Sequence, residues 1–155
     1  MYRHIMVPLD GSELAECVFP HVVAIAERRK ACKVTLVRVV TPLHLYGGVE
    51  SRLSPEERQR LETDSMDAAR KYLGQVVGRL KDKGIAAQSE VLHGDVINKL
   101  VDYVEKNEVD LIVIATHGRS GVSRWVWGNI ADKILRSAHV PVLMVRSLCD
   151  DEPSV

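Results

Sequence analysis

Short runs of aliphatic residues alternate along the chain with longer segments in which apolar and polar positions are mixed. Runs of this length, rich in Val, Ile and Leu, are typical of buried β-strands. The third run alternates only in part, and we expect it nearer an edge of the sheet than the others. The five predicted strands are His4–Leu9, Lys33–Val40, Ile85–Leu92, Asp110–Ala115 and Pro141–Val145.

The segments between these runs carry the spacing of amphipathic helices. A first helix is predicted from about Glu13 to Arg29 on the apolar positions Leu14, Val18, Val22 and Ile25. Pro20 lies inside this pattern, and we expect it to kink the helix. Cys17 lies on the same helix, and we interpret its thiol as a packing group.

Three later helices have recognisable ends. Ser54-Pro55-Glu56-Glu57 is typical of a helix start, with Ser54 as N-cap and a glutamate at the capping-box position. Gly84 is typical of the end of that helix. A further helix is expected after His93-Gly94-Asp95, with Asp95 either as its N-cap or directed to a binding crevice. The last helix is expected from about Asn129 to Ser137.

The alternation of strand and helix, five times over, predicts an α/β fold with a doubly wound, open, parallel five-stranded sheet. We take the strand order 3-2-1-4-5 as a hypothesis, because strands 1 and 4 then flank the point where the order reverses. Ligands bind at such points, outside the carboxyl ends of the strands. The loops after strands 1 and 4 are therefore expected to face each other across one crevice.

Length and composition narrow the class of protein. The 155 residues, of which 46% are hydrophobic, suit a single domain at 1–147, followed by an acidic C-terminal tail at 148–155. Basic and acidic residues number 21 each, so that the formal net charge is zero. A zero net charge argues against a dedicated binder of nucleic acid or of anionic membranes.

Cellular location can also be inferred from the sequence. The three cysteines are scattered and include no CxxC pair, which indicates free thiols in a reducing compartment. The first residues lack the charge pattern of a signal peptide, and no stretch approaches the roughly 18 apolar residues of a membrane span. We therefore expect a soluble, cytoplasmic protein.

The loop after strand 4 carries groups that suit phosphate. Glycines let backbone N–H groups approach an anion closely, serines donate hydrogen bonds and arginines supply charge. The N-terminus of the following helix adds free N–H groups and a positive dipole end. Spacing alone leaves open that the loop only turns the chain and that Asn129 is an N-cap. The residues concerned are Gly118, Arg119, Ser120, Gly121, Ser123, Arg124, Gly128, Asn129 and Ile130.

The loop after strand 1, Pro8-Leu9-Asp10-Gly11-Ser12, is the second candidate. Asp10 is suited to accept hydrogen bonds from a sugar hydroxyl or an exocyclic amine, although Asp10 and Ser12 equally suit a capping role at the first helix. Arg38, at the carboxyl end of strand 2, either borders the same crevice or is solvated. No Walker A motif occurs, and the absence of GxGxxG after strand 1 disfavours dinucleotide binding.

Two segments, IMVPLDGSELAE and IATHGRSGVSRWVWGNIADKILRSAHVPVLMV, carry a resemblance to the universal stress protein family over essentially the whole chain. Nucleotide-binding members of that family have a Gly-2x-Gly-9x-Gly-Ser/Thr pattern. In this sequence the frame falls on Ala115, Gly118, Gly128 and Asn129. The spacing is kept, whereas an alanine replaces the first glycine and an asparagine replaces the hydroxyl residue.

The resemblance implies a Rossmann-like fold of the adenine nucleotide alpha hydrolase type, with ATP or AMP between the two loops and any Mg²⁺ bound through the phosphates. It assigns Asp10 and the Val39 backbone to the nucleoside end and the glycine-marked loop to the phosphates. It also implies a homodimer that pairs through the last strand, Val142–Val145. The candidate nucleotide-binding residues are Pro8, Leu9, Asp10, Val39, Ala115, His117, Gly118, Arg119, Ser120, Gly121, Gly128, Asn129 and Ile130.

Three functions remain open. The first is an adenine-nucleotide-binding regulator of a stress response. Ala115 and Asn129 favour a second, a dimeric interaction module without nucleotide. The third is a slow ATP hydrolase, but the sequence offers no general base aimed at a γ-phosphate. His117 has no carboxylate or nucleophile paired with it locally, and we interpret it as part of the loop rather than as a catalytic group.

Overall fold

The chain is described here by a computed structural model that covers residues 2–28, 32–42, 53–116 and 127–146. Strands and helices alternate in this part of the chain. The strands are β1 (His4–Pro8), β2 (Lys33–Val40), β3 (Ala86–His93), β4 (Leu111–Thr116) and β5 (Val142–Arg146). The helices are α1 (Phe19–Glu27), α2 (Pro55–Asp82), α3 (Val96–Lys106) and α4 (Trp127–Ser137), and a 3-10 helix spans Glu13–Val18.

The five strands form one parallel sheet in the order β3-β2-β1-β4-β5. This confirms the predicted fold class and strand order. It also places β3 at an edge, as its partial alternation predicted. In register, Met6 of β1 lies opposite Thr35 of β2 on one side and Ile112 of β4 on the other. The carboxyl ends of β1 and β4 are therefore neighbours where the strand order reverses.

The core is divided into two layers by the sheet. Alternate side chains of a strand point to opposite faces. Ile5 and Val7 accordingly pack in a cluster that contains buried residues of α1 and α2. Met6, between them in sequence, packs in a second cluster that contains buried residues of α3 and α4. All three side chains are fully buried, so β1 is covered on both faces, as its apolar sequence requires.

Pro20 does not kink a continuous helix, and that prediction was wrong. The segment Glu13–Val18 is a separate 3-10 helix, and α1 begins only at Phe19 with Pro20 in its first turn. The N–H groups of a first turn have no acceptor within the helix, so a residue without an N–H loses nothing there. Pro20 therefore marks the junction between two helical segments.

The helix ends agree with the sequence at α2 and differ at α4. Ser54 and Glu57 form a complete capping box, with Ser54 N–H donating to Glu57 Oε2 at 2.8 Å. Gly84 follows the C-cap of α2 at a φ of +77°, which confirms its terminating role. Helix α4 begins at Trp127, two residues earlier than predicted, so Asn129 lies inside the first turn and is not its N-cap.

Candidate functional site

A cavity of about 390 Å³ lies at the carboxyl ends of β1 and β2 and is bordered by residues of α2, α3 and α4. Its volume is within the range of small-molecule sites, and its position is the one at which doubly wound sheets bind ligands. The structure brings six of the residues singled out from the sequence to this cavity, namely Pro8, Leu9, Asp10, Arg38, Val39 and Ile130.

The walls of the cavity differ in polarity. Leu100 of α3 and Ile130 of α4 supply apolar side chains. Polar and charged groups come from the end of β2 and the loop after β1, and also from α2; they are Arg38, Thr41, Asp10, Glu62 and Ser65. An apolar wall facing a few polar groups is typical of small-molecule sites, in which the polar groups fix the orientation of the ligand.

The loop after β1 is held by its own side chains. The Asp10 carboxylate oxygen Oδ1 accepts hydrogen bonds from the Ser12 amide at 2.8 Å and from the Ser12 hydroxyl at 2.6 Å. Ser12 Oγ in turn accepts from the Ala15 amide at 3.2 Å and caps the 3-10 helix. The capping interpretation therefore holds for Ser12. The second oxygen of Asp10, Oδ2, accepts no hydrogen bond from another described residue, which leaves it available to a donor in the cavity.

The candidate residues of the glycine-marked segment after β4 lie in different parts of the structure. Ala115 is 6% exposed, pairs with Val145 of β5 and belongs to the core rather than to the cavity wall. The candidates His117, Gly118, Arg119, Ser120 and Gly121 lie outside the described residues. Gly128 and Asn129 belong to the first turn of α4. Backbone N–H groups of a first turn have no partner within the helix, so this end of α4 offers donors next to Ile130.

Several residues that line the cavity carried no sequence signal. Glu62, Ser65 and Ala68 are spaced by three residues on α2 and present one side of that helix to the cavity. In the sequence, nothing distinguishes these three residues from other positions of a polar helix. Thr41 was recoverable in principle, because it follows the carboxyl end of a buried strand, where Arg38 was already a candidate.

His93 and Asp95, of the segment His93-Gly94-Asp95, do not line the cavity. Asp95 is the N-cap of α3, and its Oδ1 accepts from the Asn98 amide at 3.0 Å, which confirms the capping interpretation. His93 Nε2 lies 3.6 Å from Glu62 Oε2 across the α2–β3 contact. Cys17 packs against the core, as expected.

The described residues offer neither a metal-binding cluster nor a membrane-spanning helix. They contain no group of three or more His, Cys, Asp or Glu side chains that could hold a metal ion. No helix within these ranges is both long and apolar enough to cross a bilayer.

The chain is similar to known proteins over nearly its whole length. Residues 1–146 match the model of the universal stress protein family. Universal stress protein MJ0531 of Methanocaldococcus jannaschii is 29% identical over 147 residues, which cover 94% of this chain and 83% of the relative.

Solved structures agree with this assignment. Hypothetical protein MJ0577 of the same archaeon superposes with a TM-score of 0.78 at 25% identity, over 94% of this chain and 96% of that protein. A universal stress protein family protein of Arabidopsis thaliana, At3g01520, solved with AMP bound, shares the fold with a TM-score of 0.65 at 17% identity, over 97% and 95% of the two chains. The chain therefore belongs to the universal stress protein family.

Proposed function

We propose that this protein binds an adenine nucleotide, AMP or ATP, in the cavity at the ends of β1 and β2 and acts as a cytoplasmic, nucleotide-responsive regulator of a stress response. The observation that carries the proposal is the meeting of Asp10, Val39 and Ile130 at one cavity of suitable size. A relative of the same fold holds AMP, which supports the class of ligand.

In this proposal the adenine ring lies over the end of β2, next to the Val39 backbone and against Leu100. The ribose hydroxyls donate to Asp10, whose Oδ1 is occupied by Ser12 while Oδ2 is available. The phosphates point to the N-terminal turn of α4, where unpaired amides and the positive end of the helix dipole favour an anion. Any Mg²⁺ is bound through the phosphates of ATP rather than by a protein cluster.

The first test is calorimetric titration of the purified protein, cleared of any co-purified ligand by unfolding and refolding, with AMP and with ATP in the presence and absence of Mg²⁺. We expect saturable binding, and we expect Asp10→Asn to weaken it about tenfold because a charged hydrogen-bond acceptor is lost. Asp102→Asn makes the same chemical change at an exposed position of α3 that does not line the cavity, and it should leave the affinity unchanged. An absence of binding at millimolar nucleotide would refute the proposal.

A second candidate is an interaction module that works as a homodimer without nucleotide. One observation favours a dimer in either case, since β5 is an edge of the sheet and Met144 on it is 39% exposed. An apolar edge strand invites pairing with another strand. We propose that two copies pair through Val142–Val145, whether or not nucleotide is bound.

A further inference from the structure

The side chain of Arg38 lies directly against the loop after β1. A methyl group placed on Gly11 would lie 2.7 Å from Nη1 of Arg38 and 3.1 Å from Cζ. Gly11 has a φ of +88°, a conformation that L side chains rarely adopt. The guanidinium thus packs on the loop where the loop has no side chain of its own, between Asp10 and Ser12.

A row of side chains from α2 and the 3-10 helix stands behind Arg38. Cζ of Arg38 lies 5.8 Å from the centre of the Tyr72 ring, within the range of a cation–π contact. The Tyr72 hydroxyl donates to Glu16 Oε1 at 3.1 Å. Arg79 Nη2 donates to both oxygens of Glu16 at 2.8 Å. Arg38 therefore packs on the Tyr72 ring, whose position is fixed by the hydrogen bond to Glu16.

The charges in this row indicate what Arg38 does. The charge of the Glu16 carboxylate is balanced by Arg79, so Arg38 does not serve as its counter-ion. Burial, and then the Glu16 carboxylate, raises the pKa of the Tyr72 hydroxyl, so Tyr72 remains a neutral donor at physiological pH. Within the described residues, no carboxylate comes within 4 Å of Arg38, Asp10 included. The contact of Arg38 with the loop is one of packing and shape rather than an ion pair.

We propose that Arg38 is a positioning residue for the nucleotide site: seated on Tyr72, it holds the Asp10–Gly11–Ser12 loop so that the Asp10 carboxylate faces the cavity. The effect of Arg38 on nucleotide affinity rests on the proposed function, whereas its effect on the conformation of the loop does not depend on any ligand. Arg38 therefore acts through Asp10, and Tyr72 acts through Arg38.

The first experiment needs no ligand. Amide hydrogen exchange is followed by NMR at Ser12 and Ala15, whose N–H groups bond to Asp10 Oδ1 and Ser12 Oγ. In Arg38→Met we expect exchange at both amides to be about tenfold faster, because local opening becomes easier. Leu9, whose amide bonds to Val37 O in the sheet, should not change. Unchanged exchange at Ser12 and Ala15 would overturn the proposal.

A matched control tests whether the effect depends on the position of Arg38 or only on the loss of one positive charge. Arg70→Met removes the same group from an exposed site on α2, where Arg70 pairs with Asp67. This variant should exchange like the wild type. Tyr72→Phe keeps the ring but loses the hydroxyl bond to Glu16, and it should accelerate exchange in the same direction as Arg38→Met but by less.

The second experiment compares adenosine with AMP. If Arg38 acts through Asp10, Arg38→Met weakens both ligands by the same factor, about tenfold, and adds nothing further in an Asp10→Asn background. A loss confined to AMP would mean that Arg38 contacts the phosphate directly, and the positioning role would be wrong. If the wild type binds neither ligand, the proposed function fails, while the exchange result still decides the role of Arg38.

Discussion

Nε2 of His4 lies 2.8 Å from Oγ1 of Thr35, and both side chains are buried at the amino-terminal end of the sheet. Nδ1 of the same ring lies 2.9 Å from the carbonyl oxygen of Asn107, which can only accept. Nδ1 therefore carries the proton, and Nε2 of the neutral ring accepts from the Thr35 hydroxyl. Thr35 Oγ1 also accepts from Gln88 Nε2 at 3.1 Å, which completes a small buried network.

This network predicts a loss of stability in mild acid. Burial is the largest influence on His4 and lowers its pKa below 6.5. The unfolded chain then binds a proton more readily than the folded one, so the stabilisation is complete above pH 6.5 and is lost as the pH falls from there through the folded pKa. We expect the free energy of unfolding in urea to decline over this interval less steeply in His4→Gln. Replacement of the exposed His139 by Gln should leave the wild-type slope, and an identical slope in His4→Gln would contradict the assignment.

The capping box of α2 predicts a difference between two serines on one helix. Ser54 Oγ accepts from the Glu57 amide at 3.1 Å at the start of α2, whereas Ser65 Oγ only donates back to the Leu61 carbonyl at 2.8 Å. Ser54→Ala should cost about 1 kcal/mol of unfolding free energy. Ser65→Ala should be neutral or slightly stabilising, because alanine is the better helix former. Equal effects in chemical denaturation would show that the box contributes nothing.

Replacement of two glycines of the same region by alanine should change the stability of the protein in opposite directions. Gly74 lies within α2, and Gly84 follows its end at a φ of +77°; an added methyl group meets no atom within 4 Å at either position. Gly74→Ala should stabilise the protein by about 0.5–1 kcal/mol through lower backbone entropy in the unfolded chain. Gly84→Ala should destabilise it by about 1 kcal/mol, because its backbone is left-handed. Thermal unfolding of the two variants checks the sign directly.

The proposed dimer predicts that a charge on β5 separates the two copies. Met144→Lys places an ammonium group on the edge strand, and we expect light scattering to report the monomer mass for this variant and twice that mass for the wild type. Leu61→Lys is the control, since Leu61 is also exposed, at 45%, but lies on α2. A wild-type monomer, or a Met144→Lys dimer, would show that β5 is not the interface.

The fold was largely predictable because its strands are short, apolar and separated by capped helices. The run through Met6 and Val7 is typical of a short buried strand, and Ser54 and Gly84 mark the ends of α2 through chemistry that is local in sequence. The prediction for Pro20 was wrong because the sequence does not distinguish a proline in the first turn of a helix from one in its interior. The preceding 3-10 helix, which shows where α1 begins, is known only from the structure.

The candidate site was predictable only in part, for a related reason. Asp10 and Val39 follow or end buried strands, and strand ends meet at one edge of a parallel sheet. Glu62 and Ser65 approach the cavity because of how α2 crosses the sheet, and no local pattern encodes that crossing. The seating of Arg38 on Tyr72 joins residues 34 positions apart, and it too depends on the crossing of α2 over β2.

The most direct test of nucleotide binding in this cavity is an NMR titration of the ¹⁵N-labelled protein with AMP. The account predicts saturable shifts of the Asp10, Val39, Thr41 and Ile130 amides with one common dissociation constant, while Lys33 at the opposite end of the sheet does not shift. An absence of shifts at millimolar AMP, or shifts that saturate elsewhere on the protein, would contradict it.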